Sequence, residues 1–246
     1  MTKPKVAVFD FTCCEGCELQ ILNCEDEILD ILGKIEIVNF REAMSNGRDD
    51  YEIALIDGAI STSRDVERIK SIREKAKLLI TIGSCSSTGG INCLKNFWPM
   101  DEVKKIVYGD MAKHFETIPA RPVSAIVKVD FSIPGCPIDK KEFLRCLAEL
   151  LAGKNPEVPN YAVCVECKLK ENECVFDKGL FCLGPVTRAG CEARCPSYNS
   201  ACEGCRGLVD NPNVTAEKDI LQKYGLTVPQ VLDRFKLFQG CYQQVV

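Results

Sequence analysis

Histidine is nearly missing. The 246 residues hold one, His114, and tryptophan is as scarce. With one imidazole in the chain, mixed Cys/His zinc sites are all but excluded. No run of 18 or more apolar residues exists, so no membrane-spanning helix is expected. There is no Lys/Arg block and the net charge is −4, which argues against a nucleic-acid partner. The start, MTKPKVAVFDFTCC, passes from a basic tip straight into a short strand. It lacks the long apolar segment and small-residue cleavage site of a secretory signal, so a cytoplasmic location is expected. The length suffices for one sizeable core plus a smaller unit.

What is present in excess is cysteine, at 17 residues. A reducing cytoplasm argues against a disulfide framework, and an odd count would leave one thiol over. Thiolate metal binding remains, as zinc or iron–sulfur.

The first part of the chain alternates strand and helix patterns. Short apolar runs at 5–11, 35–40, 51–58, 78–85 and 124–130 predict strands buried on both faces. Helices are predicted at 17–33, on Leu19, Leu22, Ile28, Leu29 and Leu32, and at 61–77 and 138–153. This alternation predicts an α/β fold with a mainly parallel sheet. After the Gly/Pro/Asn-rich stretch at 153–160 the texture changes. Residues 164–205 carry eight cysteines with little periodicity, so metal must organise them. A last helix is predicted at 227–240, packed through Val228, Val231, Leu232 and Phe235.

Cys14 and Cys17, Cys85, and Cys136 each follow a predicted strand. Ligand sites in open α/β sheets lie outside the strands' carboxyl ends, so these four can converge. One close pair and two distant singletons suit a cubane cluster better than zinc, which favours two close pairs. A thioredoxin-like pair would need neither Cys85 nor Cys136. The stretch at 83–90, GSCSSTGG, lacks the Lys-Ser/Thr ending of a phosphate loop. The turn after the first strand holds cysteines where a flavodoxin-like fold cradles phosphate, so no FMN is expected. Asp57 should face the same crevice, as a turn residue or as a hydrogen-bonding neighbour of a cluster. Cys13 is read as a buried neighbour rather than a ligand, with Gly16 easing the turn between Cys14 and Cys17.

In the later segment the spacing runs Cys164-x2-Cys167-x6-Cys174-x7-Cys182, then Cys191-x3-Cys195-x6-Cys202-x2-Cys205. These gaps fit no common zinc pattern, and a proline follows Cys195 as in cluster-binding ferredoxin runs. Spacing alone leaves open which four share a site, and zinc remains the alternative. Cys24 and Cys146 read as core residues. Cys93 and Cys241 receive no role, and His114 reads as a surface residue.

The stretches CEGCELQIL, GSCSSTGGI, IPGCP and CLGPVTRAGC…CP…CEGC together resemble the small subunit of NiFe hydrogenases over nearly the whole chain. The branch most similar is cytoplasmic: sulfhydrogenase delta subunits and the small subunits of methyl-viologen-reducing and electron-bifurcating enzymes. The resemblance implies a flavodoxin-like domain over 1–155 with a proximal cluster. It implies a cluster-binding domain over 156–246 with medial and distal clusters. Carried over by position, the proximal ligands are Cys14, Cys17, Cys85 and Cys136. The distal ligands are Cys164, Cys167, Cys174 and Cys182, and the medial ones Cys191, Cys195, Cys202 and Cys205. It further implies electron relay through three 4Fe–4S clusters and an obligate large-subunit partner that holds the nickel–iron site. A further flavin/nicotinamide or iron–sulfur electron-transfer subunit is implied as well. Cys164 stands where the periplasmic branch has His, Cys195 adds a fourth medial thiolate, and no twin-Arg signal precedes the first strand. Ile138 stands where many relatives have a second proline after the proximal cysteine, a change expected to matter little for ligation. A quinone-reductase-like respiratory subunit is the related alternative, but it typically lacks the eight-cysteine segment.

Overall fold

The computed structural model describes residues 3–25 and 27–241. Five strands form one sheet: β1 (Lys5–Asp10), β2 (Glu36–Phe40), β3 (Ile53–Asp57), β4 (Leu78–Ile82) and β5 (Phe131–Ile133). Their order is β2-β1-β3-β4-β5 and every pairing is parallel. This is the flavodoxin-like doubly wound order. β3 is buried at all five positions, as a strand covered on both faces must be. In register, Asp10 lies beside Asp57, so both carboxylates sit at the carboxyl edge of the sheet.

Helices α1 (Gly16–Leu22) and α2 (Ile28–Lys34) follow β1, and α3 (Ser63–Lys75) follows β3. A capping box at Thr62 and Asp65 starts α3. Helix α4 (Gly83–Thr88) grows directly out of β4, and a 3-10 helix over Gly90–Phe97 continues it. Then come α5 (Met100–Tyr108), a 3-10 turn over Gly109–His114, a short 3-10 turn over Val123–Ala125, and α6 (Lys140–Leu151) after β5. One face of the sheet is covered by Cys17, Ile21, Phe143, Cys146 and Leu147, the other by Ile69, Ile72 and Val123.

The cysteine-rich part holds α7 (Val163–Leu169), a 3-10 turn over Val175–Lys178, α8 (Arg194–Ser197), α9 (Val214–Lys223) and α10 (Val228–Gln239). It has its own apolar core of Val163, Val175, Leu183, Val186, Leu221, Val231 and Phe235. Helix α10 packs on the 90–97 segment. The Thr88 hydroxyl donates to the Phe238 carbonyl at 3.2 Å, and the Gln239 amide to the Gly204 carbonyl at 2.8 Å.

Several expectations are corrected. The helix expected over 17–33 is two helices. Its inward stripe is Cys17, Ile21 and Cys24, all buried, while Leu19 and Leu32 are exposed. Cysteine serves as the hydrophobe at i and i+7, on either side of Ile21, which a count of leucines misses. The side chains of Ile28 and Leu29 lie outside the described set. The fifth strand is not at 124–130 but at 131–133, because a 3-10 turn follows Pro122. The Asp130 carboxylate accepts the Leu79 N–H at 2.9 Å, filling the place where a strand would pair. The fourth strand stops at Ile82, so Cys85 rides on a helix. Val228 is exposed, whereas Val231 and Phe235 are buried as expected. Helices α5 and α9 had no counterpart in the sequence pattern. Cys93 and Cys241 form a disulfide, against the expectation of none. It ties the 90–97 segment to the chain after α10, and 148 residues separate its ends, so no local spacing betrays it.

Candidate iron–sulfur centres

The turns after β1 and β5 and the first turns of α1 and α4 bring Cys14, Cys17, Cys85 and Cys136 near one another. Glu15 takes a left-handed conformation (φ 61°) and turns the chain between Cys14 and Cys17. The residue that turns is therefore Glu15, not Gly16. Gly16 supplies room instead, since a Cβ there would lie 3.3 Å from the Cys14 sulfur. At Gly83 (φ +80°) a Cβ would run into the Cys17 sulfur, so glycine permits the close approach of α4 to α1. Ser84 N–H donates to the Gly135 carbonyl at 2.7 Å and fixes the 136 loop beside α4. Cys17 is buried, Cys85 half-buried, and Cys14 and Cys136 are exposed.

Burial, then the nearby Asp57 carboxylate, pushes the Cys17 thiol well up and the Cys85 thiol up to about 12. The Cys136 thiol is raised by burial and by Cys14. Grouped thiols of this kind stay protonated unless cationic metal sits among them, and a coordinating metal deprotonates a thiol outright. Asp57 is buried at the crevice as expected. Its carboxylate accepts the Gly58 N–H at 2.7 Å and lies against the Cys13 thiol, and burial lifts it to about 6. Cys13 is half-buried and belongs to the Asp57 side of the crevice.

The second segment forms two further groups. Cys164 and Cys167 are three residues apart on α7, on one face of the helix. The Cys164 thiol, raised to about 12 by burial first, also feels Cys182, Cys167 and Cys174. Gly184 sits between two of these sulfurs: a Cβ would lie 3.2 Å from Cys182 and 3.5 Å from Cys164. Cys205 is likewise raised to about 12 by burial, then by Cys191, Cys136 and Cys195. Cys202 is buried beside Cys182 and Cys205. Glu166 of α7 accepts the Gly190 and Ala193 N–H groups at 2.8 and 3.0 Å, joining the two groups' supporting loops.

Backbone N–H groups reach many of these sulfurs. The Gly184 N–H donates to the Cys182 sulfur at 3.4 Å, and the backbones of Ile138, Cys202, Gly204 and Arg194 lie close enough to Cys17, Cys182, Cys202 and Cys191 to lower those thiols. The Cys136 backbone lies beside the Cys205 sulfur, and the hydroxyl of Ser84, next to Cys85, donates to the Cys205 carbonyl. The first and second cysteine groups are therefore joined by Cys136 and Cys205, and the second and third by Cys202 and Cys182. The second group thus adjoins both the first and the third.

Among the described residues, no three Cys, His, Asp or Glu side chains are gathered closely enough to hold a single ion. A four-iron cluster asks for a different arrangement, since each thiolate binds a different iron. All-cysteine groups of four, with amide donors to the sulfurs and buried surroundings, fit such a cluster. Cys24 and Cys146 are fully buried core residues, as expected, and His114 is exposed. Sequence reasoning missed Glu18, which is buried beside Cys17 with Oε1 unpartnered and lifted to about 8 by burial and Asp57. Its only signal was an acid next to a cysteine on the face of a helix. It also missed Arg206, whose partner is 64 residues away.

A flavodoxin-like sheet with cysteines at its carboxyl edge and a cysteine-rich segment behind it is the fold of hydrogenase small subunits. The structure of a NiFeSe hydrogenase from Desulfomicrobium baculatum matches with a TM-score of 0.58 at 19% identity, over 86% of this chain and 97% of that one. The family model described as NADH ubiquinone oxidoreductase, 20 Kd subunit, matches residues 14–150. Sulfhydrogenase 2 subunit delta of Pyrococcus furiosus is 40% identical over 222 residues, covering 89% of this chain and 92% of the relative. A subunit of the F420-non-reducing hydrogenase vhu of Methanocaldococcus jannaschii is 33% identical over 84% of this chain and 82% of its own length. The chain belongs to the family of NiFe hydrogenase small subunits that includes the sulfhydrogenase delta subunit.

Proposed function

We propose that this chain is the electron-relay subunit of a NiFe hydrogenase. It would pass electrons between the nickel–iron site of a partner large subunit and a diaphorase- or ferredoxin-type partner through three 4Fe–4S clusters. What supports this is the placing of twelve cysteines at the sheet's carboxyl edge and in the segment behind it, with Cys136 beside Cys205 and Cys182 beside Cys202. A bound cluster supplies reversible one-electron chemistry.

In this reading Cys14, Cys17, Cys85 and Cys136 hold the proximal cluster. Cys191, Cys195, Cys202 and Cys205 hold the medial one, and Cys164, Cys167, Cys174 and Cys182 the distal one. The chain divides into a sheet unit over 1–155 and a cluster unit over 156–246, in line with the separate core around Phe235. Exposed Cys14 and Cys136, with exposed Ile91 and Trp98 nearby in sequence to Cys85, make the face that the large subunit covers. Twelve thiolates and no imidazole keep all three sites at low potential, since ligand charge is one lever on potential. The chain works in the cytoplasm without a membrane span. Among the described residues no helix is long and apolar enough to cross a membrane. A respiratory-complex reading rests on the family model's description, and that match stops at residue 150, before the eight-cysteine segment.

Metal analysis of the chain, purified anaerobically with its co-expressed large subunit, tests the reading. About twelve irons per chain and no zinc are expected. About two zincs and no iron would contradict it.

A further inference from the structure

Arg206 follows Cys205 directly and is buried, at 2% exposure. Its guanidinium makes a two-pronged pair with Glu142 of α6, with both N–H···O distances at 2.8 Å. Nε donates to the Ala189 carbonyl at 2.7 Å, and Nη1 also donates to the Pro134 carbonyl at 2.8 Å. Each anchor lies beside a cysteine. Pro134 is two residues before Cys136, Ala189 is two before Cys191, and Arg206 itself is next to Cys205. Gly190, at φ +115°, leaves the space: a Cβ there would collide with both the guanidinium and the Glu142 carboxylate. One planar fork therefore ties together a loop of the first cysteine group and two loops of the second.

Stability alone is a poor reason for such a pair. Removing two charges from water costs about as much as their attraction returns, and apolar residues of like volume often do as well. The fork supplies two things that an apolar contact cannot. It fixes three loops against one rigid plane, and arginine remains charged at any working pH. The positive charge is close enough to stabilise the Cys191 thiolate. The same clamp, through Pro134, holds the Cys136 loop beside Cys205.

We propose that Arg206, seated by Glu142, is the positioning residue between the proximal and medial sites, and that its charge raises the potential of the medial one. The inference rests on the relay reading above. Extra positive charge favours the reduced, more negative state of a cluster, so removing it lowers the potential. Removing the compensating negative charge does the reverse.

The test is redox-titrated EPR on the intact complex carrying Arg206→Met or Glu142→Gln, with iron content measured on each. Arg206→Met is expected to move the medial potential down and Glu142→Gln to move it up, with the distal potential unmoved. The opposite signs are the diagnostic, because a pair that merely braces the fold would shift both variants alike or leave both potentials at the native value. Either of those results, at full iron content, overturns the proposal. If Arg206→Met fails to load iron, Glu142→Gln decides alone: a rise supports the proposal and no change or a fall overturns it. Absence of cluster signals from the native complex would instead refute the relay reading itself.

Discussion

Ile138 turns a small sequence departure into chemistry. Its backbone N–H lies close enough to the Cys17 sulfur to lower that thiol, and a proline at this position would have no N–H to give. Hydrogen bonds to sulfur favour the reduced cluster. Ile138→Pro should therefore lower the potential of the proximal site while the other two stay in place, as read by redox-titrated EPR. An unmoved proximal potential would show that this N–H has no part in tuning. Glu217 carries a different residue-scale consequence. It is 1% exposed, neither carboxylate oxygen has a partner, and burial alone lifts it to about 7 from an ordinary 4.5. The folded chain then holds the proton more tightly than the unfolded chain, so ionising Glu217 destabilises the fold. The cost is absent below about pH 4.5, grows as pH rises, and is complete above about pH 7, where it reaches about 3 kcal/mol. Glu217→Gln should raise the anaerobic thermal midpoint more at pH 8 than at pH 5.5. A larger gain at the lower pH would contradict the sign.

Among elements, the strands of the sheet were legible because the apolar runs are short and alternate with helix-patterned stretches. β1, β2, β3 and β4 lie within one or two residues of expectation at their starts. The exceptions have physical causes. The inward face of α1 is built partly of cysteine, and a single carboxylate, Asp130, displaces the start of β5. Helix α9 packs into the cysteine-rich part through Leu221, fully buried, while its neighbour Ile220 is exposed. Helix α10 matters more than its position at the end of the chain suggests. Phe235 is fully buried in the core that frames the second and third cysteine groups. Phe235→Ala should cost about 3–5 kcal/mol. On stepwise anaerobic heating, the medial and distal EPR signals should then disappear at a lower temperature than the proximal one. Simultaneous loss of all three would argue against a separately stabilised cluster unit.

At the scale of the whole molecule, the residues that carry the chemistry were the most legible part. Twelve cysteines in distinctive order point to the family, while their spacing alone left open which four share a site. What joins those groups was not legible. The Arg206–Glu142 fork spans 64 residues and the Cys93–Cys241 bond 148, and neither leaves a local pattern. The two halves meet through cysteine-bearing loops, through α10 on the 90–97 segment and through the Cys93–Cys241 bond. The most direct test is redox-titrated EPR of the intact complex. The account predicts three low-potential 4Fe–4S signals that interact between adjoining sites. A high-potential 3Fe–4S signal from the intact protein would contradict it.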